Sequence, residues 1–167
     1  MKRCNYTWEE WDEEKKKTIE KQCSEVISEG SEKYCMFHDS SKKKNFELFE
    51  QRMKGKLAKG DYNFRSHYFP KEWSFRGERF GEDTEFTEAK FQGNVTFRNC
   101  VFQGAAHFDR ASFQGEANFS AANFQEDGIF LLAEFWKDSY FSEAKFQHVT
   151  FTNAVFQGDT TFFEYDL

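Results

Sequence analysis

Residues 84–124 read TEFTEAKFQGNVTFRNCVFQGAAHFDRASFQGEANFSAANF. In this stretch Phe stands at 86, 91, 97, 102, 108, 113, 119 and 124, at steps of five and six that alternate without a break. Followed outward, the alternation begins at Phe64, Phe69, Phe75 and Phe80 and runs to Phe146. It then slips to 5, 5, 6 through Phe151, Phe156 and Phe162, as though one residue were missing near His148. Two residues before each Phe from Phe86 onward sits a small, uncharged side chain. Examples are Thr84, Ala89, Val95, Cys100, Ala106, Ala111, Ala117, Ala122, Gly128, Ala133 and Ser139.

An 11-residue repeat is close to three α-turns. Yet steps of five and six at about 100° per residue put the two Phe of a repeat roughly 140° apart, on no common stripe. Gly93, Gly104, Gly115 and Gly158 recur at one phase, and with Thr, Asn and Phe they suit turns and strands better than helix interiors. The pattern therefore predicts a solenoid of short β-segments joined by corners. A residue and its second neighbour face the same side of an extended segment, so each Phe and its small partner both point inward. Four segments make one coil of 22 residues, and the Phe residues fall into four columns headed by Phe64, Phe69, Phe75 and Phe80. Coils about 4.8 Å apart suit offset ring stacking, and the small partner leaves room for the ring beside it.

Units such as Ala89-Lys90-Phe91-Gln92-Gly93, Ala111-Ser112-Phe113-Gln114-Gly115 and Ala122-Asn123-Phe124-Gln125-Glu126 resemble the pentapeptide-repeat family. The resemblance covers about residues 61–167 and implies a mainly β fold, a right-handed, four-sided β-helix. Two features depart from the family pattern. The central residue is always Phe, never Leu, and every second unit carries a sixth residue, which predicts that alternate corners are widened. The first coil is irregular, with Tyr62, His67, Trp73 and Glu78 in the small phase and Pro70 close by. This reads as a coil adapted to contact the N-terminal segment, since solenoid ends expose strand edges and core.

Residues 1–60 differ in chemistry. They carry 14 Lys and Arg against 12 Asp and Glu, a net +2, while residues 61–167 carry 9 against 17, a net −8. The division predicts a partly helical, Cys/His-containing cap over 1–60 and a β-helix over 61–167. Thr7-Trp8-Glu9-Glu10 reads as a capping box opening a helix that fades before Gly30. Phe46, Phe49, Met53 and Leu57 form the stripe of a second helix, stopped by Gly60 and suited to cover the first coil. A partner-binding helix is the other use of that stripe.

Three of the four Cys lie in the cap, at Cys4, Cys23 and Cys35, with His38 in a C-x2-H spacing. Together they offer a tetrahedral Cys3His set, the closed arrangement of structural zinc. The spacing of x18, x11 and x2 matches no common finger, so reduced thiols packed as small hydrophobes, or a disulfide or redox pair, remain open alternatives. Segments like Cys4-Asn5-Tyr6 and Cys35-Met36-Phe37-His38 resemble those preceding Phe-type pentapeptide repeats, which favours the metal. Cys100, at the inward phase, reads as core.

The chain has 167 residues, 23 of them Phe, one Pro and a formal net charge of −6. That length suits one domain with a small appendage. No apolar run approaches the roughly 18 residues needed to span a bilayer, and the start lacks the apolar core of a secretory leader. Four Cys without an export signal lead us to expect a reducing, cytoplasmic setting. The acidic balance argues against direct nucleic-acid binding, which needs Lys and Arg on phosphates.

Catalysis finds little support. His107 and His148 lie two coils apart in the coil arithmetic, and Ser112, Ser120 and Ser142 have no imidazole placed beside them. Glu82, Asp83, Glu85 and Glu88 read as a solvated acidic face. The expected role is a non-catalytic protein-interaction scaffold with an unidentified protein partner. By resemblance, the runner-up is an acidic rod that imitates duplex DNA toward a type II topoisomerase; Lys90, Arg98, Arg110, Lys137 and Lys145 interrupt the acidic surface. A third option, an enzyme using the N-terminal metal, needs an open coordination position. Phe162-Phe163-Glu164-Tyr165-Asp166-Leu167 is expected to fold over the last coil or to pair end to end in a homodimer.

Overall fold

The computed structural model describes residues 3–12, 14–25, 34–40 and 45–163. The chain divides into two compact units, Met1–Phe49 and Glu50–Leu167.

In the first unit, β1 (Thr7–Asp12) and β2 (Lys17–Gln22) form an antiparallel hairpin with Thr7 opposite Gln22 and Asp12 opposite Lys17. This corrects the helix expected from Thr7; its far end near Gly30 lies outside the described residues. The local reason is visible in exposure. Tyr6 and Trp8 are half-buried while Asn5, Thr7 and Glu9 are exposed, a period of two rather than 3.6. The turn is held by Asp12, whose Oδ1 accepts the Lys15 N–H at 2.8 Å and whose Oδ2 meets Lys15 Nζ at 2.8 Å. Lys16 completes it with φ +50°.

Helix α1 (Phe46–Ala58) straddles the boundary between the units. Asn45 caps it, accepting the Leu48 N–H on Oδ1 at 3.1 Å. It ends at Gly60, φ +67°, where Asp61 N–H bonds to Lys56 O and Gly60 N–H to Leu57 O, the paired closure that positive φ permits. Of the expected stripe, Phe49 and Met53 are fully buried, while Phe46 and Leu57 are partly exposed. Within the second unit, Lys56 Nζ lies 5.8 Å from the centroid of Phe64, the first ring of the solenoid.

From Tyr68 to Thr161 the second unit is a β-solenoid of about four turns, each strand mostly two residues long and paired in parallel with its counterpart one coil on. Phe69 pairs with Phe91, Phe91 with Phe113, Phe113 with Phe135 and Phe135 with Phe156. All four expected columns form. The rings of Phe64, Phe86, Phe108, Phe130 and Phe151 stack at 4.7, 4.9, 4.8 and 4.9 Å. The other columns stack at 4.5 to 5.1 Å. Columns also meet edge to face, as between Phe108 and Phe119 at 5.4 Å and 90°. Both geometries are those aromatic quadrupoles favour.

The two step lengths are two kinds of corner. In every five-residue step except Phe146–Phe151, where the slip falls, the second residue after Phe takes positive φ: Ser66, Gly77, Glu88, Asn99, Arg110, Ala121, Leu132, Glu143 and Asn153. The third residue after Phe then returns its N–H to that Phe carbonyl, as Ala111 does to Phe108 at 3.0 Å. This is the pattern of a type II turn. The six-residue corners carry one residue more and none of these positive-φ turns. Their recurrent glycines, however, lack positive φ and serve close approach instead. A Cβ on Gly115 would lie 2.5 Å from Asn94 N and 2.6 Å from Gly93 O of the coil below. At the slip, Asn123–Ile129 pairs with Lys145–Thr150 with its register broken between Phe124 and Asp127, so that Gln125 and Glu126 stand opposite Gln147 alone. The residue missing near His148 is absorbed there as a bulge.

Residues 164–167 lie outside the described residues, so the fate of the C-terminal tail does too. At the last coil Phe162 and Phe163 are 41% and 73% exposed. No helix among the described residues is long and apolar enough to cross a membrane.

Candidate metal centre

The hairpin and one turn bring the four expected ligands together. Continued past its paired strands, the β1–β2 register sets Tyr6 against Cys23 and Cys4 against Glu25. Backbone hydrogen bonds hold it there: Cys23 N–H to Tyr6 O at 2.9 Å and Cys4 N–H to Glu25 O at 2.8 Å. Gln22 Nε2 also donates to Cys4 O at 3.0 Å. Cys4 and Cys23 thus meet at the open end of the hairpin. Cys35 and His38 share a turn in which His38 and Asp39 N–H both bond to Cys35 O, at 3.1 and 2.9 Å.

The donor atoms of Cys4, Cys23, Cys35 and His38 all lie within 4.8 Å of one another, and the cluster can hold a metal ion. Cys23 Sγ and Cys35 Sγ are 3.9 Å apart, while His38 Nδ1 stands 3.6 Å from Cys4 Sγ and 3.2 Å from Cys35 Sγ. A tetrahedral zinc, with sulfur at about 2.3 Å and nitrogen at about 2.0–2.1 Å, sets S···S edges of about 3.8 Å and S···N edges of about 3.6 Å. The residues fit the ion. The His38 atom that faces the thiols is Nδ1, a detail the spacing alone did not reveal.

Cys4, Cys23 and Cys35 are 0%, 8% and 1% exposed. Burial raises the Cys4 pKa; hydrogen bonding with Cys23, then burial, pushes Cys35 up to about 12, while the same bond from Cys35 lowers Cys23. Cys4 Sγ accepts the Cys35 N–H at 3.2 Å, support suited to a sulfur carrying negative charge. Tyr6 is a member that sequence reasoning missed. Its ring stacks on His38 at 4.1 Å and on Trp8 at 5.9 Å, fixing the imidazole plane. The signal was the alternation Cys4, Tyr6, Trp8 along one strand face.

The other residues singled out fall elsewhere. Cys100 is buried in the solenoid, donates its thiol proton to Phe75 O at 2.9 Å, and is pushed up to about 12 by burial, as befits core. His67 is buried in the first coil. His107 Nδ1 faces Asp109 at 3.6 Å and Glu85 at 3.9 Å, and Glu85 also pairs with Arg65. His148 Nδ1 faces Asp127 at 3.3 Å. A groove of about 420 Å³ crosses one solenoid face over Ser74, Asn94, Thr96, Glu116 and Asn118. Its acceptors already bind backbone: Ser74, Thr96 and Asn118 take the N–H of Arg76, Arg98 and Ser120, and Asn94 takes that of Glu116.

The family model for pentapeptide repeats (9 copies) matches residues 97–138. No curated protein and no solved structure matches the chain. The matched stretch runs through the middle coils, where small residue and Phe alternate inward without exception, and its Phe spacing continues to Phe64 on one side and, past the slip, to Phe162 on the other. Over residues 97–138 the solenoid is thus similar to the pentapeptide repeats of that family.

Proposed function

We propose that this protein is a non-catalytic, cytoplasmic interaction scaffold whose N-terminal unit is held by a structural zinc ion. One observation carries the scaffold reading. From Phe64 to Phe119 every column ring is fully buried, so the shaft is spent on packing and only the outward side chains are free to recognise anything. Those side chains stand in register: Lys90, Ser112 and Glu134 line up on one face. A photo-crosslinking residue placed at each of these in turn should capture the same protein from neighbouring positions. Unrelated captures from each, or none from any face, overturn the reading.

The zinc reading rests on the Cys3His geometry. Four protein donors saturate the ion and leave no position for substrate, which argues against a metalloenzyme. Zinc would supply cross-linking of the hairpin to the Cys35–His38 turn, and its binding energy would add to the folding of a unit that, among its described residues, buries few apolar side chains beyond Phe37 and Phe49. Elemental analysis should find one zinc per chain, lost in Cys35→Ala; less than a tenth of an equivalent in protein purified without chelator refutes it.

A second reading, DNA mimicry toward a type II topoisomerase, is favoured by the net −8 of residues 61–167 and by Glu72, Glu116, Asp138 and Asp159 recurring at one corner phase. Electrostatic imitation would depend on such charge. No change in gyrase supercoiling at high micromolar protein removes it. The exposed Phe162 and Phe163 support end-to-end pairing of two copies, which sedimentation as a monomer at all concentrations refutes.

A further inference from the structure

We propose that the Cys3His cluster is an oxidation-sensitive clasp, in which hydrogen peroxide or a similar two-electron oxidant joins Cys23 to Cys35 as a disulfide and expels the ion. The inference rests on the zinc reading above and adds how the site is opened.

Access and distance select the pair. Cys23 is 8% exposed, whereas Cys4 and Cys35 are at 0% and 1%, so a small oxidant meets Cys23 first. Its sulfur already stands 3.9 Å from that of Cys35. A disulfide needs about 2.05 Å, so the two sulfurs close by roughly 2 Å. Side-chain rotation is what supplies that approach, since both backbones are held, Cys23 N–H on Tyr6 O and Cys35 O by the His38 and Asp39 N–H groups. Cys23 follows the last paired residue of β2, and Cys35 opens the turn that ends in His38. Cys4, by contrast, is tied at its sulfur as well as at its N–H and its carbonyl.

The chemistry balances. The Cys23 thiolate attacks one peroxide oxygen and breaks the O–O bond, giving Cys23 sulfenic acid and hydroxide, which takes a proton and leaves as water. The Cys35 thiolate attacks the Cys23 sulfur; the S–S bond forms as the S–O bond breaks, and the second hydroxide leaves as water after taking a proton. Two thiolates lose two electrons, one peroxide gains them, and two protons are consumed. Cys4 and His38 alone remain as donors, half of a closed tetrahedral set. A dithiol reductant reverses the step by returning both thiols. Cys100, deep in the solenoid with its thiol bonded to Phe75 O, is an internal control that stays reduced.

The test uses full-length protein loaded with one equivalent of zinc and freed of excess. Peroxide is added from one to ten equivalents while a chromogenic chelator reports released zinc; thiols are then alkylated. Trypsin separates Cys23 from Cys35 at Lys33, so mass spectrometry reads the linkage directly. The expected result is zinc released in step with a Cys23–Cys35 disulfide, alkylated Cys100, and zinc taken up again after dithiothreitol. The Cys100→Ser protein, which keeps all four donors, should behave identically. Zinc retained at peroxide levels that oxidise free glutathione overturns the proposal. So does release accompanied by a different disulfide or by sulfinic acid alone. Protein that takes up no zinc at the loading step overturns the zinc reading, and this proposal with it, before peroxide is added.

Discussion

Replacing Phe108 by Ala tests the ring columns at their centre. Phe108 is fully buried, stacked between Phe86 at 4.9 Å and Phe130 at 4.8 Å with planes within 4° of parallel. It meets Phe97 and Phe119 edge to face at 5.3 and 5.4 Å. Truncating a buried Phe to Ala costs about 3–5 kcal/mol through lost transfer energy and the cavity left behind. Each ring pair adds about 0.5–1.5 kcal/mol beyond burial, so a ring with six ring neighbours, Phe102 and Phe113 among them at 6.0 and 6.2 Å, belongs at the upper end, about 4–5 kcal/mol. Phe146 is the matched control. It is partly exposed and has a single stacked neighbour, Phe124 at 4.8 Å, so Phe146→Ala should cost about 2 kcal/mol. Neither change touches a backbone bond such as Phe108 N–H to Ile129 O at 2.6 Å, so the ladder is preserved. Urea unfolding followed by far-ultraviolet circular dichroism reads both losses. Because a solenoid is held by nearest-neighbour coil contacts, a hole at Phe108 should also lower the m-value by uncoupling the coils on either side. A Phe108→Ala loss no larger than that of Phe146→Ala refutes the claim that stacked rings, rather than the backbone ladder, hold the shaft.

Three smaller perturbations address the corners and the surface. Leu132 holds φ +57° with its side chain 39% exposed, so Leu132→Asn should relieve backbone strain and raise stability by about 0.5–1 kcal/mol in the same urea assay; a loss would show that its exposed side chain is packed after all. Gly115→Ala inserts a methyl against the Gly93 and Asn94 backbone and should cost about 1–3 kcal/mol, whereas Gly77→Ala, with nothing near its Cβ but φ +76°, should cost about 1 kcal/mol through strain alone. Hydrogen bonding to Asp109, then the nearby Glu85 and Asp83, raise the His107 pKa against its burial. The folded value then exceeds the unfolded one of about 6.5, so the stability from charged His107 is full below that pH and is lost as pH rises through the folded pKa. The gap between wild type and His107→Asn should therefore be widest near about pH 5.5 and shrink by about pH 8.5; a gap independent of pH refutes the pairing.

How much of this was legible beforehand depended on whether the signal was repeated. Phe spacing and the small partner are two constraints that every coil restates, so a reading that fails at one coil is corrected by the next. The columns and the bulge near His148 follow from that arithmetic. What it left out was conformation without a side-chain signature. Positive φ falls on Ser66, Glu88, Arg110, Ala121, Leu132 and Glu143 because the flanking Phe and small residue are locked inward, and tertiary packing overrides local preference. The glycines looked like the turn residues and proved to be the thin ones, required where one corner rests on another.

The N-terminal unit has no repetition to check a misreading, and there the capping box at Thr7 misled. Thr-x-x-Glu is a short signal, and it lost to the period-two burial of Tyr6 and Trp8 and to the need to bring Cys4 and Cys23 to one end of a hairpin. The two units thus specify structure in opposite ways. The solenoid distributes its information over many equivalent rings, none of which is indispensable at the ends. The hairpin concentrates it in four donor atoms and one stacked tyrosine. A single substitution at Cys35 should therefore do to the first unit what only a central ring can do to the second. That asymmetry makes the cluster the natural place for control, because chemistry at the sulfur of Cys23, the least buried of the three thiols, can act there and has no counterpart in a shaft of buried Phe.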